Sequence, residues 1–360
     1  MTKRPAKPTM RDVSRLAGVS TMTVSRVLTD PSLVAEETRQ RVLQAVEQLR
    51  YVPDRVAGSL SSRRSGFVAL ILPTLMNSNF ADTAQALSEG LHSAGYQLLI
   101  GYTLYRLDEE ERVIQSVLTR RPEAIVLTGI EHSRKTTAML FEAGVPVVEI
   151  WDLQDRPIDY VVGYSNFEVG RAAAHHLVGL GHRRVCAVGP CDSGEARDFR
   201  AEQRLAGFAA GLRETGTPDD LIFRHSHVPL SFTEGAEAME MVAREAPDAE
   251  AIFAASDLHA VGVLMECQRR SIRVPEDLSI MGFGDFEIGR QSVPPLTTMR
   301  VDARAIGLRT AEVILGALGV QPPQESTSEE TASKNSPARV HDLGFEVLTR
   351  GSTRPGNWKR

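Results

Sequence analysis

TMRDVSRLAGVSTMTVSRVL, Thr9 to Leu28, is the stretch whose reading decides the fold. Met10, Val13, Leu16 and Ala17 recur at helical spacing and predict one apolar face. Thr9 is a good N-cap for that helix. Gly18-Val19 breaks it, because glycine tolerates a turn conformation that other residues resist. Ser20 caps a second helix, whose apolar face is Val24, Val27 and Leu28. Two short helices joined by a glycine-containing turn make a helix-turn-helix. The second helix exposes Thr21, Met22, Thr23, Ser25 and Arg26, with Ser20 at its start. Small or flexible groups with one guanidinium suit the DNA major groove.

A third helix is expected from about Ala35 to Arg50, with Val42, Val46 and Leu49 on its core face. The run YVPDRVAGSL follows, Tyr51 to Leu60. This stretch closely resembles the DNA-binding head of the lactose-repressor (LacI) family of bacterial transcription regulators. The matching residues are AGVS (17–20), TVSRVL (23–28), TR (38–39), YVP (51–53) and RVAGSL (55–60). The head is expected to span residues 9–53, with double-stranded operator DNA as its partner. Residues 54–65 read by composition as a flexible polar hinge. The resemblance implies a short hinge helix in the minor groove, where Leu60 wedges into the central base step and Arg55 contacts backbone or groove edge. An apolar wedge costs a few kcal/mol of unstacking and bends the duplex. Asp54 stands where the family often has asparagine, which puts its role in doubt.

The 360-residue chain has a net charge of −5 that hides a split. Residues 1–64 carry a balance of +6 and the remainder −11. A basic head on an acidic body suggests that the head meets phosphate and the body does not. Residues 1–8 read as a disordered basic arm. No apolar run reaches the roughly 18 residues of a membrane span, and the polar N-terminus lacks the apolar core of a signal peptide. The three cysteines form no CxxC pair, which suggests a reduced cytoplasm.

From Gly66 the texture changes. Short apolar runs such as FVALIL (67–72), EAIVLTG (123–129), RVCAVGP (184–190) and LSIMGFG (278–284) alternate with helical patterns. That alternation predicts βαβ units and buried parallel sheets. The expected fold class is α/β: a three-helix head, a hinge, then a two-lobed body over residues 66–353. The family shares that body with periplasmic sugar-binding proteins and holds its ligand between the lobes. Residues 319–340 are rich in Pro, Ser, Thr and Glu, cannot form a core, and predict a mobile surface loop. FEVLTRGST (345–353) returns as a strand, and the tail to Arg360 is expected to be disordered.

In doubly wound sheets ligands sit beyond the carboxyl ends of strands. Phe80, Tyr102, Tyr105 and Trp151, with Phe283, fall at such ends and offer faces to a sugar's C–H side. The detailed resemblance is to the gluconate-repressor branch of the family, over nearly the whole chain. It rests on MTVSR (22–26), EEER (109–112), IVLTG (125–129), PVVEIWD (146–152), SNFE (165–168), ECQR (266–269), VPEDLSIMGFGDFEIG (274–289) and LTTMRVD (296–302). Many members carry a sugar-reading Asp where this chain has Gly284, and another where it has Ser165. Losing carboxylates suits an anionic ligand, since like charges in a dry cleft repel. Arg204 matches a family arginine that binds ligand and would pair with a carboxylate. Asn166, Asp257 and Asp285 would exchange hydrogen bonds with hydroxyls. The expected effector is a sugar acid such as gluconate, or its phosphorylated form.

An enzyme is disfavoured: no GxGxxG or phosphate-loop motif follows a strand, and no nucleophile–base pair is visible. His175 and His176 point about 100° apart on a helix, and His225 and His227 lack a supporting cluster, so no metal or cofactor is expected. The basic head with TVSR excludes a pure sugar receptor. The reading is a cytoplasmic repressor, a homodimer or a tetramer, released from its operator when a sugar acid changes lobe closure.

Overall fold

The computed structural model describes residues 8–52, 65–191, 194–320 and 339–355. The hinge residues Asp54, Arg55 and Leu60, the arm, most of the 319–340 loop and the tail fall outside them. The chain separates into two units, one up to Ser65 and one from Gly66.

The first unit is helical: α1 (Met10–Ala17), α2 (Thr21–Thr29), a 3-10 turn (Pro31–Leu33) and α3 (Glu36–Leu49). Thr9 and Asp12 form a reciprocal capping box, the Thr9 amide donating to the Asp12 carboxylate at 2.9 Å. This satisfies donors that a helix start leaves orphaned. Gly18 ends α1 with φ of +67°, and the Ser20 hydroxyl accepts from the Thr23 amide at 3.1 Å. Val13, Ala17, Val24, Val27, Val42, Ala45 and Tyr51 form the core. Leu16 is half exposed and does not join it.

The second unit holds two six-stranded sheets. The first contains β1 (Phe67–Leu72), β2 (Gln97–Tyr102), β3 (Ala124–Thr128), β4 (Val147–Ile150), β5 (Tyr160–Gly163) and β11 (Val340–Asp342). Its order is β11-β5-β4-β3-β1-β2, all parallel. The second contains β6 (Val185–Pro190), β7 (Ile222–Ser226), β8 (Ala251–Ala254), β9 (Ser279–Phe283), β10 (Thr297–Arg300) and β12 (Glu346–Leu348). Its order is β12-β10-β9-β8-β6-β7, parallel except for the antiparallel β12. The central strands are buried on both faces, which explains their unbroken apolar runs.

Helices α4 (Ser78–His92), α5 (Leu107–Leu118), α6 (Arg134–Ala143) and α12 (Ala303–Ala317) cover the first sheet. Helices α7 (Asn166–Gly179), α8 (Phe199–Glu214), α9 (Phe232–Glu245), α10 (Asp257–Arg269) and the short α11 (Glu287–Arg290) belong to the second. The chain therefore crosses between lobes three times: after β5, after β10 and between β11 and β12. Helices α7 and α8 pack closely because glycines meet backbone there. A Cβ on Gly207 would stand 1.8 Å from the Phe167 carbonyl oxygen, and one on Gly170 1.8 Å from that of Arg204. Among the described residues, no helix is long and apolar enough to cross a membrane.

Candidate functional site

The outer face of α2 presents Thr21, Met22 and Arg26 to solvent, Met22 being 63% exposed. Thr23 and Ser25 are half-buried. The Ser20 and Thr23 hydroxyls lie 2.9 Å apart, so the cap itself uses both. Arg26 has no ion pair among the described residues, which leaves its charge available to a phosphate or a guanine edge.

In the second unit, a cavity opens between the lobes at the carboxyl ends of the strands. Phe80 from α4, Tyr105 from the loop after β2, Trp151 from the end of β4 and Arg204 from α8 all line it. Four aromatic rings run across it. Phe80 meets Trp151 edge-on at 5.3 Å, Trp151 meets Tyr164 at 6.0 Å, and Tyr164 meets Phe283 at 6.0 Å. A guanidinium stands at each end of this row, Arg204 at 4.0 Å from the Phe283 ring centre and Arg200 at 5.4 Å from that of Phe80. Trp151 Nε1 and the Tyr164 hydroxyl are buried without hydrogen-bond partners among the described residues.

Arg200 and Arg204 are buried one helical turn apart on α8. Arg204 donates from Nε to the Ala255 carbonyl at 3.1 Å and from Nη1 to Asn166 Oδ1 at 2.5 Å. Burial pulls its pKa below the ordinary arginine range. Arg200 has one carboxylate within 4 Å among the described residues, Asp198 at 3.5 Å. Two close cations with so little compensation leave a site short of negative charge. The lobes meet around the cavity. Asn79 Nδ2 donates to the Gly284 carbonyl at 2.8 Å on one side, and the Arg197 amide donates to the Tyr105 carbonyl at 2.9 Å on the other. A second cavity shares Tyr105 and Arg200 with the first.

The other expected ligand residues lie elsewhere. Asn166 sits behind the wall, its amide donating to the Trp151 carbonyl at 3.0 Å. Tyr102 is half exposed on the edge strand β2 and lines neither cavity. Asp257 is fully buried: Oδ1 accepts from the Thr298 hydroxyl at 2.7 Å and Oδ2 from the Phe286 amide at 2.8 Å. Burial, opposed by those two bonds, pushes its pKa up to about 7. Asp285 pairs with Arg350 at 2.6 Å and Arg290 at 3.3 Å and lines a separate groove. Both carboxylates thus serve the loop after β9 and not the cavity. Arg200 is the residue that sequence reading missed. Its four-residue spacing from Arg204 was the available signal.

Comparison with known proteins finds the family model "Bacterial regulatory proteins, lacI family" over residues 9–54, and "Periplasmic binding protein-like domain" over 174–353. The chain is 33% identical over 352 residues to the HTH-type transcriptional regulator GntR of Pseudomonas aeruginosa, covering 98% of this chain and 97% of that one. It is 30% identical to GntR of Escherichia coli K12, covering 96% and 98%. A transcriptional regulator of the LacI family from Silicibacter pomeroyi, of known crystal structure, is 31% identical with a TM-score of 0.85, covering 96% of this chain and 99% of that one.

Proposed function

From the premise that this chain belongs to the LacI family of bacterial transcription regulators, we propose that it is a gluconate-type sensor that binds its operator as a homodimer in the cytoplasm and releases it when a sugar acid enters the cleft. That it is a DNA-binding transcription regulator and not an enzyme follows from the family. The observation that carries the ligand class is the buried Arg200–Arg204 pair lining a cavity that Trp151 and Tyr164 also line, each with a buried polar atom that has no partner among the described residues. Convergent donors with positive charge favour a carboxylate, and the aromatic row suits a sugar's C–H face.

Calorimetry with gluconate and sorbitol tests this reading, because the two share hydroxyls and differ in the anion. A charged hydrogen bond contributes roughly 1.5–3 kcal/mol, or about ten- to a hundredfold in affinity. Gluconate is expected to bind tighter by that factor, and Arg200→Met to remove most of the difference while operator binding without ligand stays intact. Arg200 is the cleaner position, since Arg204 also holds Ala255 and Asn166. Equal affinities for the two compounds would rule out a carboxylate-reading cleft.

For the head, Thr21 and Met22 begin the helix that would enter the major groove, where side chains reach base edges. Replacing this exposed pair is expected to change the preferred operator and to leave low-salt affinity for random DNA within about threefold, since phosphate contacts dominate that affinity. Binding selections on randomised operators measure it. An unchanged preference would remove these two residues from base reading.

A further inference from the structure

We infer that the cleft reads its ligand end to end by charge, taking the carboxylate in the first cavity and an uncharged, hydroxyl-bearing end in the second. This rests on the sugar-acid reading above and narrows it, because it excludes a ligand whose far end carries phosphate.

Tyr105 and Arg200 line both cavities and form the boundary between them. Beyond that boundary three carboxylates, Asp152, Glu131 and Glu110, enter the lining beside Arg106, Arg197 and Arg200. Asp152, at the end of β4, is buried in the wall of the second cavity, and Glu131 stands on its exposed rim. Glu110 lines it too, but is held at 2.9 Å by His132. Burial alone would lower the His132 pKa, yet the hydrogen bond to Glu110 and the Glu149 carboxylate 3.5 Å away raise it to about 9, so the ring is the cation that answers Glu110.

The remaining cations in this wall are committed. Arg106 pairs with Asp108 and Glu195, each at 2.8 Å. Arg197 pairs with Glu202 at 2.6 Å. That leaves Arg200, at the boundary with the first cavity, where it serves the carboxylate. A phosphate, with about −1.5 to −2 charge, would enter facing Asp152 and Glu131 without a cation of its own. Hydroxyls meet the opposite situation, because ionised carboxylates only accept hydrogen bonds and an O–H supplies them. Burial already raises the Asp152 pKa, and a second anion beside it would oppose its ionisation further.

The test is calorimetry of the full chain with gluconate and with 6-phosphogluconate, which share a carboxylate and differ at the far end. Gluconate is expected to bind about tenfold tighter or more. In the double variant Asp152→Asn, Glu131→Gln the gap is expected to narrow to about threefold, through tighter binding of the phosphorylated acid. Glu131→Gln alone, on the rim, gives a smaller shift in the same direction should the buried substitution impair folding. Equal or tighter binding of 6-phosphogluconate by the parent chain overturns this inference and leaves the sugar-acid reading standing. Binding of neither acid overturns both.

Discussion

Gly207→Ala is expected to cost about 3 kcal/mol or more and to lower the unfolding temperature by about 6–12 °C. The added methyl would stand 1.8 Å from the Phe167 carbonyl oxygen, and the obstacle is backbone, which has no rotamer to escape into. Helices α7 and α8 would have to separate. The same two helices carry Asn166, Arg200 and Arg204, so the surviving folded protein is also expected to lose its response to ligand. Gly179→Ala is the control. It lies at the end of α7 with nothing within 4 Å of its added carbon. There the substitution is expected to be neutral or to stabilise by a few tenths of a kcal/mol. Thermal unfolding of the two variants beside the parent measures the contrast. Equal melting temperatures would show that α7 and α8 are not in contact along their glycines.

The second large effect is a pH dependence centred on Asp257. Its carboxyl has a folded pKa of about 7 against an ordinary value of 3.8. Below pH 4 it is protonated in folded and unfolded chains alike and contributes nothing to the difference. Between pH 4 and 7 the unfolded chain has released the proton and the folded chain still holds it, so stability falls as pH rises. Above 7 both are ionised and the penalty stays constant. A tenfold difference in proton affinity between the two chains corresponds to about 1.4 kcal/mol. From pH 5 to pH 8 the parent is therefore expected to lose about 3 kcal/mol relative to Asp257→Asn. Urea unfolding at both pH values gives this difference, and the other carboxylates cancel from it. A difference that does not change with pH would mean that Asp257 is ionised throughout. The Phe286 amide bonds to this carboxylate, so the same titration bears on the loop that carries Phe286 into the cavity wall.

The contrast between Asp257 and Arg200 explains which parts of the molecule were legible in the sequence. The helix-turn-helix was legible because its signals are local: Thr9 and Ser20 cap neighbours three residues away, and Gly18 takes the turn. The parallel strands were legible because burial on both faces writes itself as apolar runs. The strand-end rule located Phe80, Tyr105 and Trp151 at one cavity. The direction in which an acid at a strand end points was not legible. Asp257 is turned into the core by the hydroxyl of Thr298 and the amide of Phe286, partners 41 and 29 residues away. Asp285 is claimed by Arg350, 65 residues on. Tyr102 follows the same rule as Trp151, but β2 is an edge strand, and its side chain is left half exposed. Leu16 fits the helical period and still faces outward, since the three-helix core is too small to cover every apolar position on α1.

The aromatic row has a practical consequence for how the protein is observed. Trp151 is one of two tryptophans in the chain, and the other, Trp358, stands almost at the C-terminal end. The Trp151 indole is packed edge-on between Phe80 and Tyr164, with a buried N–H that has no partner among the described residues. Emission from such a ring follows the polarity and hydrogen bonding immediately around it. The protein thus carries its own fluorophore in the wall of the cavity between the lobes, and a titration followed by intrinsic fluorescence is expected to report occupancy there without any label.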